Sequence, residues 1–347
     1  MISADAKKVM NDLNKKLGGD VIVLASDITQ SGGRTSTGSV TFDAILGGGF
    51  PVNQWHELVG EKSSGKSFIA MQCITANQIK DPKFTAVWVA AEPWVSDWAE
   101  RCGVDPTRVI VVETTSMEEA YSTCIAFAES QTVDCIVIDS LPMLVPSAEA
   151  EKEMGELTIG RGAMLTNKFF RKVGTAMQRS LTEAERPVIG IMINQWRFKI
   201  GVTHGDPRTT PGGAGKDYAY FTQSEVKRDD WIEVGTGQAK RRIGQSVRVR
   251  TLKNKSAPPQ RVASFDMYFD EGGACPKGSI DFAKEIAALC IDKEIITRAG
   301  AWYSFGGHKW NGKDAILVDI RQDLDLREEL EGLALNDTFL PIALEIA

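Results

Sequence analysis

Short apolar runs alternate with longer helical patterns through the middle of the chain. The apolar runs lie at 55–59 (WHELV), 85–91 (TAVWVAA), 108–112 (RVIVV), 135–139 (CIVID) and 188–193 (VIGIMI). Strands that are apolar along nearly their whole length are typical of parallel sheets with helices on both faces. The pattern therefore predicts an α/β fold with a mostly parallel central sheet.

The segments on either side of this core have different patterns. In residues 4–17 apolar positions recur at helical spacing and two glycines follow, which predicts one amphipathic helix. Its apolar stripe must pack on its own domain or on a neighbouring subunit. Runs at 246–252 and 262–269 alternate apolar and polar residues, as antiparallel strands do. Beyond Gly272 the pattern changes to short helices and strands with an acidic helical end.

These changes in pattern divide the chain of 347 residues into three parts. Residues 1–34 are predicted to hold the N-terminal helix and a linker. Residues 35–270 are predicted to form the core, and residues 271–347 a small α+β domain.

Composition excludes several classes of protein. Hydrophobic residues make up 43% and charged residues 25%, as in ordinary globular chains. The apolar runs are far shorter than the ~18 residues that a membrane span needs, and the first ten residues carry charges where a signal peptide is apolar. Six cysteines form no CxxC pair and three histidines lack ligand spacing, which argues against a disulfide framework or a zinc site. We expect a cytoplasmic protein.

Charge is distributed unevenly along the chain. Residues 161–255 carry 19 Lys and Arg against 8 Asp and Glu, a local net charge of +11, although the whole chain has a net charge of −6. A basic segment in an acidic protein suggests a surface for a polyanion, and the alternative is a solvated, salt-bridged face.

The clearest motif is GEKSSGKS, which follows the run at 55–59 and opens a helical pattern. It fits the phosphate-binding pattern G-x-x-x-x-G-K-[ST], in which backbone N–H groups and the helix N-terminus surround a phosphate. In this pattern the lysine reaches the terminal phosphates and the last hydroxyl holds Mg²⁺. The predicted nucleotide-binding residues are Gly60, Glu61, Lys62, Ser63, Ser64, Gly65, Lys66 and Ser67.

Three other polar residues end apolar runs and are expected at the same edge of the sheet. Asp139 ends CIVID and could orient the water of Mg²⁺. Glu92 follows TAVWVAA and could activate the attacking water as a general base. Gln195 follows VIGIMIN and could sense the γ-phosphate. Each residue taken alone is also a common turn or cap residue.

Two segments are too long to be plain connectors. They are 146–160 and 196–216, and the second combines seven Gly and Pro residues with several basic side chains. Long loops in compact domains are usually functional or disordered. A basic loop beside a nucleotide sensor suits binding of a nucleic-acid backbone that depends on ATP.

These motifs together resemble bacterial-type RecA recombinases over nearly the whole chain. Besides GEKSSGKS and CIVIDS, the resemblance rests on STGSVTFDAILGGG, AAE, MINQWRFKIGV, TTPGG, TLKNKSAP and AGAWYS, which occur in the family's order and spacing. It implies a RecA-like P-loop ATPase core with an N-terminal polymerisation helix. It also implies a homopolymeric helical filament that binds single-stranded DNA with ATP and Mg²⁺, pairs it with homologous duplex DNA and exchanges strands.

The resemblance also assigns roles to individual residues. It implies catalytic roles for Lys66, Glu92 and Gln195, metal orientation by Asp139, and a reach of Lys253 and Lys255 to the ATP of an adjacent subunit. Trp98 falls where the family places an adenine-stacking tyrosine. The two long segments become DNA loops, and the implied DNA contacts are Ile159, Arg161, Arg171, Arg197, Lys199, Ile200, Arg208, Gly212 and Gly213.

The chain departs from the family in one position that affects its mechanism. Asp217 stands where the family usually has an apolar residue that contacts the next subunit, which puts the coupling between ATP and that interface in doubt.

Two other functions use the same motifs. One is a different P-loop ATPase, such as a hexameric helicase or a small-molecule kinase. The other is a filament protein or mediator that binds DNA and nucleotide without turnover, against which the presence of both Glu92 and Asp139 argues.

Overall fold

The structure, a computed structural model, describes residues 2–18, 22–24, 33–153, 160–178, 186–199, 201 and 205–339. The first half of the chain contains these helices and strands: α1 (Ala4–Leu17), β1 (Arg34–Thr35), α2 (Val40–Leu46), β2 (Phe50–Pro51), β3 (Trp55–Gly60), α3 (Lys66–Lys80), β4 (Ala86–Ala90), α4 (Ser96–Arg101), β5 (Val109–Glu113), α5 (Met117–Ser130), β6 (Cys135–Asp139), α6 (Ser147–Ala150) and α7 (Arg161–Gln178). The second half contains β7 (Ile189–Gln195), β8 (Arg197–Phe198), β9 (Arg208–Thr209), α8 (Gly215–Ala219), β10 (Thr222–Val234), β11 (Arg241–Asn254), β12 (Val262–Tyr268), α9 (Phe282–Asp292), β13 (Thr297–Ala299), β14 (Trp302–Phe305), β15 (His308–Asn311), α10 (Lys313–Gln322) and α11 (Leu324–Phe339).

The central sheet has eight strands in the order β12, β11, β10, β3, β7, β6, β4, β5. The six strands from β10 to β5 are parallel to their neighbours, and β11 and β12 continue the sheet in antiparallel pairing. This confirms the predicted α/β fold with a mostly parallel sheet. A separate antiparallel sheet of β13, β14 and β15 lies near the C-terminus.

The central strands are apolar because both of their faces are covered. In β4, Trp88 packs in one buried cluster with Phe68 of α3, while Val87 packs in a second cluster with Tyr121 of α5. Burial of each large side chain contributes about 1.5–3 kcal/mol, so the two clusters fix the register of the strands. The carboxyl ends of the strands are thereby held at one edge of the sheet.

The longest hairpin of the sheet was not predicted in full. The 13 residues of β10 pair with β11 along nearly their whole length, yet their sequence is TQSEVKRDDWIEV. The buried positions at the start of β10 are Thr222, Ser224 and Val226, so small polar residues stand where an apolar alternation would mark a strand. Pairing with β3 and β11 on both sides makes this segment a strand despite its weak pattern.

The C-terminal helices and the small sheet share a buried cluster of their own, which includes Ile286, Tyr303 and Ile320. Glu285 of α9 joins this unit to the core. It is buried, and its Oε1 accepts hydrogen bonds from the hydroxyl of Ser39, from the backbone N–H of Thr41 at 3.2 Å and from Thr41 Oγ1 at 2.6 Å. Its Oε2 has no partner among the described residues.

Glu285→Gln is expected to change how the free energy of unfolding depends on pH. Burial raises the pKa of Glu285 from 4.5 to about 7. Between these values the folded protein holds a proton that the unfolded chain has released, so stability falls as pH rises through this window. Across this window the free energy of unfolding falls by roughly 3 kcal/mol. Gln at this position keeps the accepting oxygen but carries no charge. Denaturant unfolding from pH 5 to 8 should show that the free energy of unfolding declines less with pH in the variant than in the wild type. An equal decline in both proteins would contradict this prediction. Exposed Glu328→Gln is the control.

Candidate nucleotide and nucleic-acid sites

The loop between β3 and α3 has the backbone geometry of a phosphate cradle. Ser63 and Gly65 have positive φ angles of 56° and 105°. A Cβ at Gly60 would lie 2.1 Å from the carbonyl oxygen of Val226, so only glycine fits there. Glycine is therefore required at residue 60 by the close approach of Val226 and favoured at residue 65 by the positive φ angle.

The start of α3 provides donors for an anion. Gly65 is the N-cap and supplies no side-chain cap, so the first N–H groups of the helix point toward the loop without a capping oxygen. The hydroxyl of Ser64 is buried and has no partner among the described residues. Uncapped N–H groups, the helix dipole and a buried hydroxyl suit a phosphate group. The residues present therefore fit the nucleotide that the motif predicts.

Lys66 lies at the centre of this loop. It is buried, and its Nζ donates to the carbonyl oxygens of Gly60 at 3.2 Å and Glu61 at 2.6 Å. Burial lowers the pKa of Lys66, while nearby Asp139 and Glu92 act in the opposite direction. Both hydrogen-bond acceptors of Nζ are neutral carbonyl oxygens, so the ammonium group could turn to a phosphate without breaking a salt bridge.

The predicted catalytic and nucleotide-binding side chains meet in one cleft of about 510 Å³. Apart from the phosphate loop, its walls include Glu92, Trp98, Asp139 and Gln195. They follow or end the neighbouring strands β4, β6 and β7, except for Trp98, which α4 carries. The structure thus brings together residues that are separated by more than 100 positions in sequence.

Asp139 and Glu92 line the nucleotide cleft together with Ser67. Burial raises the pKa of the Asp139 carboxyl to about 6, while the nearby hydroxyl of Ser67 acts in the opposite direction. The backbone N–H of Glu92 donates to the carbonyl oxygen of Asp139 at 3.1 Å, which fixes the end of β4 against β6. Ser140 donates from its hydroxyl to Glu92 Oε1 at 2.9 Å and so orients the proposed base.

Sequence reasoning missed six residues of this cleft, and four of them lie on or next to β10, β11 and β12. Trp231 of β10, Gln245 of β11 and Met267 of β12 are directly opposite one another in register, and Phe269 follows β12. Three of them, Trp231, Met267 and Phe269, add apolar surface to the cleft. No local signal could identify them, because their proximity depends on the pairing of three antiparallel strands.

Lys253 and Lys255 do not reach the cleft of their own chain. Lys253 Nζ donates to the carbonyl oxygens of Asp217 at 2.5 Å and Tyr218 at 3.2 Å, and Lys255 Nζ donates to Tyr218 at 3.3 Å. Burial and the charge of Lys255 lower the pKa of Lys253. Their role toward an adjacent subunit stays a prediction.

The second long segment begins as a two-stranded ribbon. Arg197 of β8 pairs with Thr209 of β9, and the N–H of Lys199 donates to Pro207 at 2.9 Å. Arg197 and Lys199 are exposed and have no ion pair among the described residues. Ile159 and Ile200 lie outside the described residues, so their predicted contacts with bases stay predictions.

The other candidates for DNA contact have different surroundings. Arg208 is held by Asp206 at 2.8 Å and by Glu225, and its guanidinium lies 4.7 Å from the ring centre of Trp196. These contacts indicate that Arg208 stabilises the ribbon of β8 and β9. Arg161 and Arg171 lie exposed on α7.

Gly212 and Gly213 allow the end of the second segment to pack closely on its neighbours. Both have positive φ angles, of 95° and 76°. A Cβ at Gly213 would lie 2.7 Å from that of Ala163, so the segment rests directly on α7. The structure therefore gives these glycines a packing role, and their predicted contact with DNA stays a prediction.

Five of the 19 Lys and Arg residues in the range 161–255 line a second cleft beside the phosphate loop. This cleft of about 530 Å³ lies next to the nucleotide cleft and shares Lys62 with it. Its other basic and aromatic wall residues are Trp196, Phe198, Arg208, Lys227, Arg228, Arg248 and Arg250. Ion pairs neutralise part of this charge, since Glu225 binds Arg250 at 2.7 Å and Asp229 binds Arg248 at 2.7 Å.

No helix within the described ranges is long and apolar enough to cross a membrane.

Comparisons with known proteins agree with this geometry. The family model of the RecA N-terminal domain matches residues 4–274. The chain belongs to the RecA family. RecA proteins of Staphylococcus aureus strains JH9, Newman and N315 are each 32% identical to it over 327 residues, which cover 93% of this chain and 89% of theirs. Membership of this family indicates a general role in DNA recombination and repair.

Proposed function

We propose that this protein is a DNA-dependent ATPase that forms a helical filament on single-stranded DNA and exchanges strands with homologous duplex DNA. The observation that carries the proposal is the nucleotide cleft itself. Its phosphate loop, base and sensor converge from separate strands, and the basic ribbon begins at Arg197, two residues after the sensor Gln195.

The cleft accounts for binding of ATP. The N–H groups of residues 60–67 would surround the phosphates, and Lys66 would turn from its carbonyl partners to the terminal phosphates. Trp98, Met267 and Phe269 offer the apolar surface that an adenine ring needs. Ser67 and Asp139, the latter through water, would hold Mg²⁺, whose chemistry there is the neutralisation of phosphate charge.

Glu92 is the proposed general base. It is exposed to the cleft, and one of its oxygens is fixed by Ser140, which leaves the other oxygen to accept a proton from water. Gln195 ends β7 at the same cleft and is joined by one peptide bond to the segment that carries Arg197 and Lys199. A change at the γ-phosphate can therefore alter the placement of the basic ribbon.

Helix α1 is the proposed contact with the next subunit. It contains no buried residue, and the exposed fractions of Val9, Leu13 and Leu17 are 58%, 40% and 58%. Asn14 ties it to the following segment through two hydrogen bonds with Ile22, at 2.7 and 2.8 Å. Because the described residues provide no partner that buries its apolar side, this amphipathic helix suits docking on another copy. We propose residues 1–34 as this docking unit, 35–270 as the ATPase core and 271–347 as an accessory domain of a cytoplasmic protein.

The proposal predicts ATP hydrolysis that requires single-stranded DNA, because DNA aligns subunits so that Lys253 and Lys255 meet the neighbour's nucleotide. Steady-state hydrolysis should rise at least tenfold on addition of an oligothymidylate, as expected when a cationic residue completes a phosphate site in trans. Electron microscopy with an ATP analogue and the same DNA should show regular helical filaments. Closed rings would indicate a helicase instead, and DNA-independent phosphorylation of a small acceptor would indicate a kinase.

A further inference from the structure

A row of polar side chains crosses three strands on the face of the sheet opposite the nucleotide cleft. Lys253 of β11, Gln223 of β10 and Glu57 of β3 are directly opposite one another in register. Asn194 of β7 joins the row, because its Nδ2 donates to Glu57 Oε1 at 2.8 Å. Glu57 and Asn194 are buried. The row therefore runs from β7, which ends in the sensor, to β11, which carries Lys253.

Asn194 connects this row to the sensor. Its Oδ1 accepts the backbone N–H of Gln195 at 2.9 Å, while its Nδ2 also donates to the carbonyl oxygen of Pro211 at 3.3 Å. Gln195 and Asn194 point to opposite faces of β7, as successive residues of a strand do. One side chain thus contacts the sensor's backbone, the end of the second loop and Glu57.

Lys216 and Asp217 complete the network at the other end. Lys216 is fully buried, and its Nζ donates to Thr210 Oγ1 and Asp217 Oδ1, each at 2.6 Å, with Glu57 Oε1 at 3.5 Å. Gln223 Nε2 donates to Glu57 Oε2 at 2.8 Å and to Asp217 Oδ1 at 3.2 Å. Asp217, the residue that departs from the family, is thereby bound within its own chain.

Stability alone does not account for this arrangement. Burial raises the pKa of Glu57, with the charge of Lys216 opposing that shift. Removing charges from water costs several kcal/mol per ion, and an apolar set of similar volume is often as stable as a buried ion pair. What a connected polar network adds is a specific geometry, because each partner must be in place for the others to be satisfied.

We propose that the row formed by Asn194, Glu57, Gln223, Lys216 and Asp217 couples the nucleotide state at Gln195 to the second loop and to Lys253. It rests on the proposed function. Glu57 is a positioning residue: it holds Asn194 on one side and Lys216 on the other. A shift of Gln195 toward a γ-phosphate alters the Asn194 contacts with Glu57 and Pro211, and Asp217 carries the change to Lys253 through its backbone oxygen.

The test measures coupling directly. The dissociation constant for a labelled oligothymidylate is determined with a non-hydrolysable ATP analogue and with ADP, and the ratio of the two constants is the coupling. Glu57→Gln keeps the side-chain shape and removes one of the two carboxylate charges that pair with Lys216. We expect the ratio to fall by about tenfold, within the usual range of allosteric coupling, while affinity for the analogue stays within about twofold.

Thr222→Val is the matched control. Thr222 is buried beside Gln223 on the other face of β10 and hydrogen-bonds His56 Nδ1 at 2.8 Å, so its loss perturbs the same strands without touching the row. This variant should keep the wild-type ratio. If Glu57→Gln does not fold, half-buried Gln223→Met takes its place with the same expected result.

Two results would overturn the inference, and they have different meanings. Folded Glu57→Gln or Gln223→Met with the wild-type ratio would show that the row does not couple the sites, while the proposed function stands. A wild-type protein that binds oligothymidylate equally with the ATP analogue and with ADP would contradict nucleotide-dependent DNA binding itself, and the row's role would fail with it.

Discussion

Lys66→Ala is expected to reduce kcat/KM for ATP by roughly 10²- to 10³-fold or more, as removal of a group that stabilises transition-state charge does. Lys66 is the only buried cation among the described residues of the phosphate loop, and Lys62, the other lysine there, is exposed. The charge that develops on the phosphates would therefore lose its nearest counter-charge. DNA-stimulated hydrolysis, measured on protein with native circular dichroism, checks this.

Lys80→Ala is the matched control for this variant. Lys80 lies at the other end of the same helix and is exposed, so the substitution removes the same charge from α3 away from the cleft. It should retain the wild-type rate. Wild-type hydrolysis by folded Lys66→Ala would refute the assignment of the phosphate loop.

The cleft residues that could be predicted from the sequence are those marked by a contiguous motif or by the end of an apolar run. The phosphate loop is contiguous, and its glycines are required by backbone geometry at Gly60 and Gly65. Glu92, Asp139 and Gln195 could be placed together because each ends a run of apolar residues, and parallel strands bring their carboxyl ends to one edge.

The parts that sequence could not predict depend on register between distant strands. Trp231 and Gln245 enter the cleft only because β10 pairs with β11, and β10 has too few apolar residues to be recognised as a strand. The polar row is hidden for a similar reason. Glu57 could have been noticed in the sequence, since it is a carboxylate within a buried apolar strand. Its partners Gln223 and Lys216 could not be predicted, because only the fold brings them next to it.

Combined Arg197→Ala and Lys199→Ala is expected to weaken binding of single-stranded DNA and to reduce its dependence on salt. Each phosphate contact releases counterions and contributes a slope of about 0.7 to the logarithm of affinity against the logarithm of salt. Loss of two contacts should lower the slope by about 1.4 and the affinity roughly twentyfold at 0.1 M salt. Fluorescence anisotropy with an oligothymidylate over a range of salt concentrations, in the presence of an ATP analogue, measures both quantities.

The salt slope distinguishes a local contact from a general effect of charge. Lys80→Ala combined with Lys83→Ala removes the same charge from exposed positions at and just after the end of α3. A diffuse effect of charge would therefore change affinity equally in both double variants. Arg197 and Lys199 differ from that pair because they lie on the ribbon that follows Gln195 and have no carboxylate partner among the described residues. We therefore expect only the ribbon variant to lose slope and affinity together. A native slope in that variant would place the DNA contact elsewhere, and the basic cleft of Lys227, Arg248 and Arg250 would be the next surface to test.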